Sequence, residues 1–196
     1  MYLFECEVTF AAEPATVWRI WTDVARWPEW DASKEIAQMD GDFQVGSSGW
    51  VKKHNALGGT FAITSLEPGR RWTSESPLPL GRVIFEHLVE PVPGGKVRVV
   101  KGVEVEGGSA GLFRVLAAPR MRRDIEATLA ALQRRAQAQE AEQARAMAEQ
   151  KAKAGQALAQ AGQAGARQAP ARRPQPAQAE AAQGQVRPPG RRPHVA

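Results

Sequence analysis

Residues 14–31 read PATVWRIWTDVARWPEWD and place Trp18, Trp21, Trp27 and Trp30 within one short stretch. Val17, Ile20, Trp21, Val24 and Trp27 recur at three- and four-residue steps, which gathers them on one face of a helix. Pro14 suits a first helical turn, where its missing N–H has no intrahelical partner to lose. Pro28 is expected to end the run, because the residue before a proline is steered away from helical angles. Asp23 can accept the unpaired N–H groups of a second turn, so the stretch predicts two short helices meeting at a corner. Such a face covers a core, or some of its rings wall a cavity.

Ahead of this stretch, Met1 to Phe10 alternates strictly: Tyr2, Phe4, Cys6, Val8 and Phe10 share one side, and Leu3, Glu5, Glu7 and Thr9 the other. This is the period of a strand and not of a signal peptide. After the tryptophan stretch come short β-type runs cut by Gly and Pro: 35–39, 49–54, 60–66, 71–76, 82–90 and 97–106. Gly94 and Gly95 sit between the two longest runs and can adopt positive φ, which predicts a hairpin there. Beyond Gly107-Gly108, Leu112, Leu116, Met121, Ile125, Leu129 and Leu132 form one helical stripe. Pro119 interrupts it and either kinks the helix or restarts it in a new first turn.

Composition changes near Arg135. Residues 1–135 hold 17 Lys and Arg against 17 Asp and Glu, whereas 136–196 hold 9 against 4, so the whole net charge of +5 lies in the last third. That segment is Ala, Gln, Arg, Pro and Gly with no Phe, Trp, Tyr or Ile, too little apolar surface to offset chain ordering. It is expected to be a tail, helical at first and disordered beyond, whose Arg172-Arg173 and Arg191-Arg192 pairs can touch anionic surfaces weakly. A neutral globular part argues against a dedicated nucleic-acid-binding domain. A lone Cys6 excludes an intramolecular disulfide and a multi-thiolate zinc site, and no run approaches the roughly 20 apolar residues of a membrane-spanning helix. A soluble, cytoplasmic protein is the expectation.

The order strand, two short helices, six strands and a long amphipathic helix resembles the START-like superfamily, the helix-grip fold of polyketide cyclases and dehydrases, lipid-transfer domains and plant ligand-binding proteins. The resemblance covers about residues 1–135. It rests on the tryptophan stretch, on FAITSLEPGRRW (61–72), on FEHLVEPVPGGKVRVV (85–100) and on VEVEG (103–107). It implies an α+β fold: a curved antiparallel seven-stranded sheet gripping the C-terminal helix, with a cavity between them that holds an apolar small molecule in many members. Shape is shared across such a superfamily while pocket residues differ, so the activity has to come from the site.

Alternation chooses the cavity-facing side chains. In the run 82–90, Val83, Phe85, His87 and Val89 share a face that excludes Glu86 and Glu90; in 97–106, Val97, Val99, Lys101, Val103 and Val105 share one that excludes Arg98, Glu104 and Glu106. A hairpin symmetric about Pro93-Gly94-Gly95 sets His87 opposite or diagonal to Lys101. Two bases in one apolar cavity disfavour each other's charge, and one left neutral can take a proton or orient a carbonyl or carboxylate. The alternative is a Lys101 that snorkels to the sheet edge beside an ordinary core histidine. The rest of the candidate wall is Trp27 and Trp30 from the corner, Phe61 and Ile63, Trp72 and Ser74, and Met121, Ile125 and Leu129 from the helix. The inward face of 49–54 is left open, because Trp50 pairs with Lys52 and His54 while Val51 pairs with Lys53.

Stronger chemistry is not visible. Cys6 reads as a small buried hydrophobe, 46–49 (GSSG) lacks the spacing of a nucleophile elbow, no phosphate-binding glycine loop or cofactor motif occurs, and two separated histidines make no metal site. Three function classes remain. They are a carrier or sensor of a hydrophobic metabolite; a cyclase- or dehydratase-like enzyme on a polyketide-type carbonyl substrate, with His87 as general acid or base and Lys101 stabilising charge; and an interaction module with a filled core.

Overall fold

The computed structural model describes residues 1–54 and 56–167. The chain divides into two units, Met1–Lys151 and Ala152–Ala196. The first opens with β1 (Tyr2–Ala11), α1 (Pro14–Thr22), one 3-10 turn (Val24–Arg26) and α2 (Trp27–Trp30). Six strands follow: β2 (Lys34–Met39), β3 (Ser48–Lys53), β4 (Gly59–Glu67), β5 (Arg71–Leu78), β6 (Gly81–Val92) and β7 (Lys96–Gly107). They pair antiparallel in the order β1-β7-β6-β5-β4-β3-β2, so the first strand closes onto the last and lies at an edge. A short α3 (Ala110–Leu116) leads into α4 (Ala118–Arg167). The described part of the second unit is helical, and its side chains are exposed as far as residue 161. The arginine pairs of the tail lie outside the described residues.

The apolar face of the tryptophan stretch is buried as its spacing requires. Val17, Ile20, Trp21, Val24 and Trp27 are all in the core, and the Trp27 indole N–H donates to the Trp21 carbonyl at 3.0 Å. Pro28, however, starts a helix instead of stopping one: it sits in the first turn of α2, and Trp27 before it has helical angles (φ −54°, ψ −40°). Its missing N–H costs nothing at that position. Asp23 precedes the 3-10 turn without a side-chain cap bond.

Pro119 restarts the helix, as the second residue of α4 after a break at Ala117. The break changes the direction of the stripe. Met121, Ile125, Leu129 and Leu132 pack inward from α4, whereas Leu112 and Leu116 on α3 are exposed, since a period of 3.6 carries across a helix but not across its interruption. Two apolar clusters result. One joins β1, α1, β6, β7 and α4; the other joins Val24, Trp27, Ala37, Phe61, Ile63 and Trp72.

Candidate functional site

Between the sheet and α4 lies a cavity of about 250 Å³. Its floor is built by strand parity. Trp72, Ser74 and Ser76 project from β5, Phe85 and His87 from β6, and Lys101 from β7. The β6–β7 register sets His87 directly opposite Lys101, and the β5–β6 register sets Trp72 opposite His87. Met121, Ile125 and Thr128 come from α4 at the spacing that stacks side chains on one helix face. Trp27 and Lys34 close one side, and Val51, Gly59 and Phe61 another. The lining residues Lys53, Ala56 and Leu57 gather at the β3–β4 turn, facing Asp124 on α4, and mark the mouth.

His87 is 2 % exposed and held by two indoles. Trp72 stacks on it with ring centroids 3.5 Å apart and planes 2° from parallel, and Trp21 meets it edge-on at 4.9 Å. Its Nδ1 has no hydrogen-bond partner among the described residues. Burial, reinforced by the Lys101 charge, drives its pKa well below the ordinary histidine value, so the imidazole is neutral at physiological pH.

Lys101 reaches to 4.9 Å from the Phe85 ring centroid. Such surface as it keeps lines the cavity. Burial first, then the charges of Lys34 and Lys53, lower its pKa to about 7. The other two cavity lysines have carboxylate partners. Lys34 pairs with buried Asp31, which also accepts from Ser33 Oγ (2.6 Å), the Ser33 N–H (3.0 Å) and Thr128 Oγ1 (2.7 Å). Burial alone would raise the Asp31 pKa, but the Lys34 charge and these donors outweigh it and hold it at about 2. Lys53 bridges the mouth to Asp124 at 2.8 Å. Lys101 has no carboxylate within ion-pair distance among the described residues.

Of the residues expected from sequence to meet a ligand, Trp27, Phe61, Trp72, Ser74, Phe85, His87, Lys101, Met121 and Ile125 line this cavity. Trp30, Ile63, Val99 and Leu129 do not. Ile63, Val99 and Leu129 are consumed by close packing, and Trp30 turns to an outer groove with Arg19, Glu29 and Arg135. The face of β3 that alternation cannot decide resolves with Val51 and Lys53 inward. Trp50 packs over Gly58, where an added Cβ would fall 2.0 Å from the ring. Sequence reasoning missed Lys34, Lys53, Asp124 and Thr128. Thr128 was readable, three residues after Ile125 and seven after Met121; the two ion pairs were not, since their geometry depends on a corner and on contacts between segments distant in sequence. Cys6 is buried, with its thiol pKa raised chiefly by burial. No cluster of three or more potential metal ligands exists among the described residues.

Comparison with solved structures supports the architecture. Protein TTHA0849 of Thermus thermophilus superposes with a TM-score of 0.56 at 19 % identity, over 68 % of this chain and 96 % of that one. The Zhui aromatase/cyclase of Streptomyces sp. R1128 gives 0.56 at 17 %, over 68 % and 92 %. Truncated norcoclaurine synthase of Thalictrum flavum gives 0.55 at 12 %, over 66 % and 89 %. At these identities the likeness is one of fold: a curled antiparallel sheet around a long C-terminal helix, the helix grip. No curated protein sequence matches the chain. The model of the family described as polyketide cyclase / dehydrase and lipid transport matches residues 1–137, and the chain belongs to that family.

Proposed function

We propose that the domain spanning about residues 1–135 binds an apolar small molecule bearing a carboxylate, enolate or carbonyl oxygen, as a carrier or sensor. The observation that carries this reading is Lys101, a cavity lysine whose ammonium makes no ion pair among the described residues, while those of the two neighbouring cavity lysines do. A buried cation without a counter-ion is costly, and an anionic or strongly polarised ligand oxygen removes that cost. Indole, phenyl and aliphatic walls suit an apolar body. The volume falls just below that of most ligand pockets, roughly 300–1,000 Å³, which favours a ring system or short acyl chain over a two-chain lipid. A void of this kind counts against an interaction module with a filled core.

Native mass spectrometry of the purified protein tests the reading, with calorimetric titration of 2-naphthoate and its neutral methyl ester. Retention of an apolar acid or carbonyl compound is expected, and Lys101→Met should weaken naphthoate at least tenfold while leaving the ester nearly unchanged. Equal affinity of both probes for both proteins would remove Lys101 from recognition.

A second reading, a cyclase- or dehydratase-like enzyme, is favoured by the His87–Lys101 register. A neutral imidazole can withdraw a proton next to a carbonyl, and the ammonium opposite stabilises the enolate that forms. His87→Gln should then abolish turnover of a poly-β-ketone substrate while ligand binding persists; unchanged turnover would take the base away from His87.

A further inference from the structure

The mouth end of the sheet collects exposed apolar side chains. The β3–β4 turn, the β5–β6 turn, the end of β7, α3 and the start of α4 all lie there, as the antiparallel order requires. Leu57, Leu80, Leu112, Val115 and Leu116 are 97, 83, 66, 70 and 70 % exposed. Leu112 and Leu116 flank an apolar surface groove completed by Leu78, Pro79 and Phe113. Large apolar side chains gathered at one end, beside a cavity entrance, are unlike the scattered ones that any surface carries.

Leu80 adds a second observation. It follows Pro79 in the two-residue turn joining β5 to β6 and has φ +61°, the one non-glycine residue with positive φ among the described residues. That place in a turn selects Gly or Asn, because a Cβ there is strained. A leucine held in a strained conformation and pointed at solvent contributes little to the fold, which points to a use outside it.

Charge identifies the partner. From Gly107 to Arg123 there are four arginines and no carboxylate. Arg122 lies over the Phe4 ring, but Arg114, Arg120 and Arg123 are exposed. Glu75 and Glu106 are engaged by Arg82 and Asp124 by Lys53, which leaves Glu126, a turn further along α4, as the acid beside the arginines that makes no ion pair among the described residues. Apolar side chains set among arginines match the acyl boundary and headgroups of an anionic bilayer.

We propose that this end of the molecule docks on anionic phospholipid membranes, with Leu80, Leu112, Val115 and Leu116 entering the interface and Arg114, Arg120 and Arg123 on the headgroups. The cavity entrance then faces the bilayer, where an apolar ligand is concentrated. The docking rests on the surface alone and does not require the ligand assignment above.

Vesicle co-sedimentation of the full chain tests it, using phosphatidylcholine alone and phosphatidylcholine with roughly one-third phosphatidylglycerol. Binding is expected to the anionic vesicles, weakened by salt. Leu112→Asp with Leu116→Asp should cut it at least tenfold, and both positions are exposed, so the fold survives. Leu80→Gly should weaken it too while raising the thermal midpoint by roughly 2–4 °C, since the strain is relieved. Naphthoate affinity should be unchanged in these variants, and vesicle binding unchanged in Lys101→Met, so the two proposals fail separately. Three results would overturn the docking: no binding to anionic vesicles; binding insensitive to the leucine changes but lost when Arg172, Arg173, Arg191 and Arg192 become Gln; or a dimer in light scattering that the same leucine changes abolish.

Discussion

Lys101 holds a charge in a place that resists it, and this has a measurable cost in stability. Its folded pKa of about 7 lies below the ordinary 10.5. Below pH 7 it is charged in both folded and unfolded chains, and the folded chain bears the desolvation. Between about 7 and 10.5 the unfolded chain binds more protons, so this group makes stability rise with pH. His87, Lys34 and Lys53 face it with like or neutral character, and Asp31 with the opposite sign. Lys101→Met should therefore raise unfolding free energy near pH 6 by a few kcal/mol and flatten the rise between pH 7 and 10. Urea titrations at pH 6, 8 and 10 read it directly; wild-type slope in the variant would mean that Lys101 is solvated. This residue and His87 were legible in the sequence because alternation on a strand with a clear apolar face leaves little choice of direction. Lys34 was not, because its place depends on the corner after α2, where no period operates.

At the scale of elements, the network around Asp31 ties three pieces together. The carboxylate follows α2, Lys34 opens β2, and Thr128 belongs to α4. Thr128→Val keeps the shape and removes one donor to a buried anion, a loss of about 2 kcal/mol. The depressed Asp31 pKa means that its contribution is complete above the unfolded value of 3.8 and is lost as pH falls through about 2. The deficit of Thr128→Val should thus be full at pH 7 and shrink toward pH 2. Denaturant midpoints at pH 7 and 3 check this, and equal stability of the two proteins at pH 7 would remove Thr128 from the tie. Elements with one period were readable along their whole length: β6, β7 and the buried face of α4. Errors fell at junctions. Pro28 reads as a stop and is a start, and the stripe drawn through Leu112 and Leu116 crosses the break at Ala117, on whose far side those leucines turn to solvent.

For the whole molecule, the question is where the self-sufficient part ends. Composition shifts at Arg135, the family match ends at 137, and the compact unit runs to Lys151. Among the described side chains the last fully buried one of α4 is Ala136, and Glu140 still accepts the Glu13 backbone N–H at 2.6 Å, satisfying a group just ahead of α1. From 141 to 161 every side chain is exposed. A helix without a buried face gains little from tertiary packing. A chain ending at Lys151 should accordingly keep its unfolding free energy within about 0.5 kcal/mol and bind the naphthoate probe unchanged. A chain ending at Gln133 removes Ala136, Glu140 and the Arg135 side chain that lies 3.9 Å from Glu29. It should lose roughly 2 kcal/mol, mostly from uncovered apolar surface beneath the end of the helix. Calorimetry of the two truncations separates these cases. Equal stability of both would end the domain before Ala136, and a large loss at Lys151 would mean that the second unit supports the first.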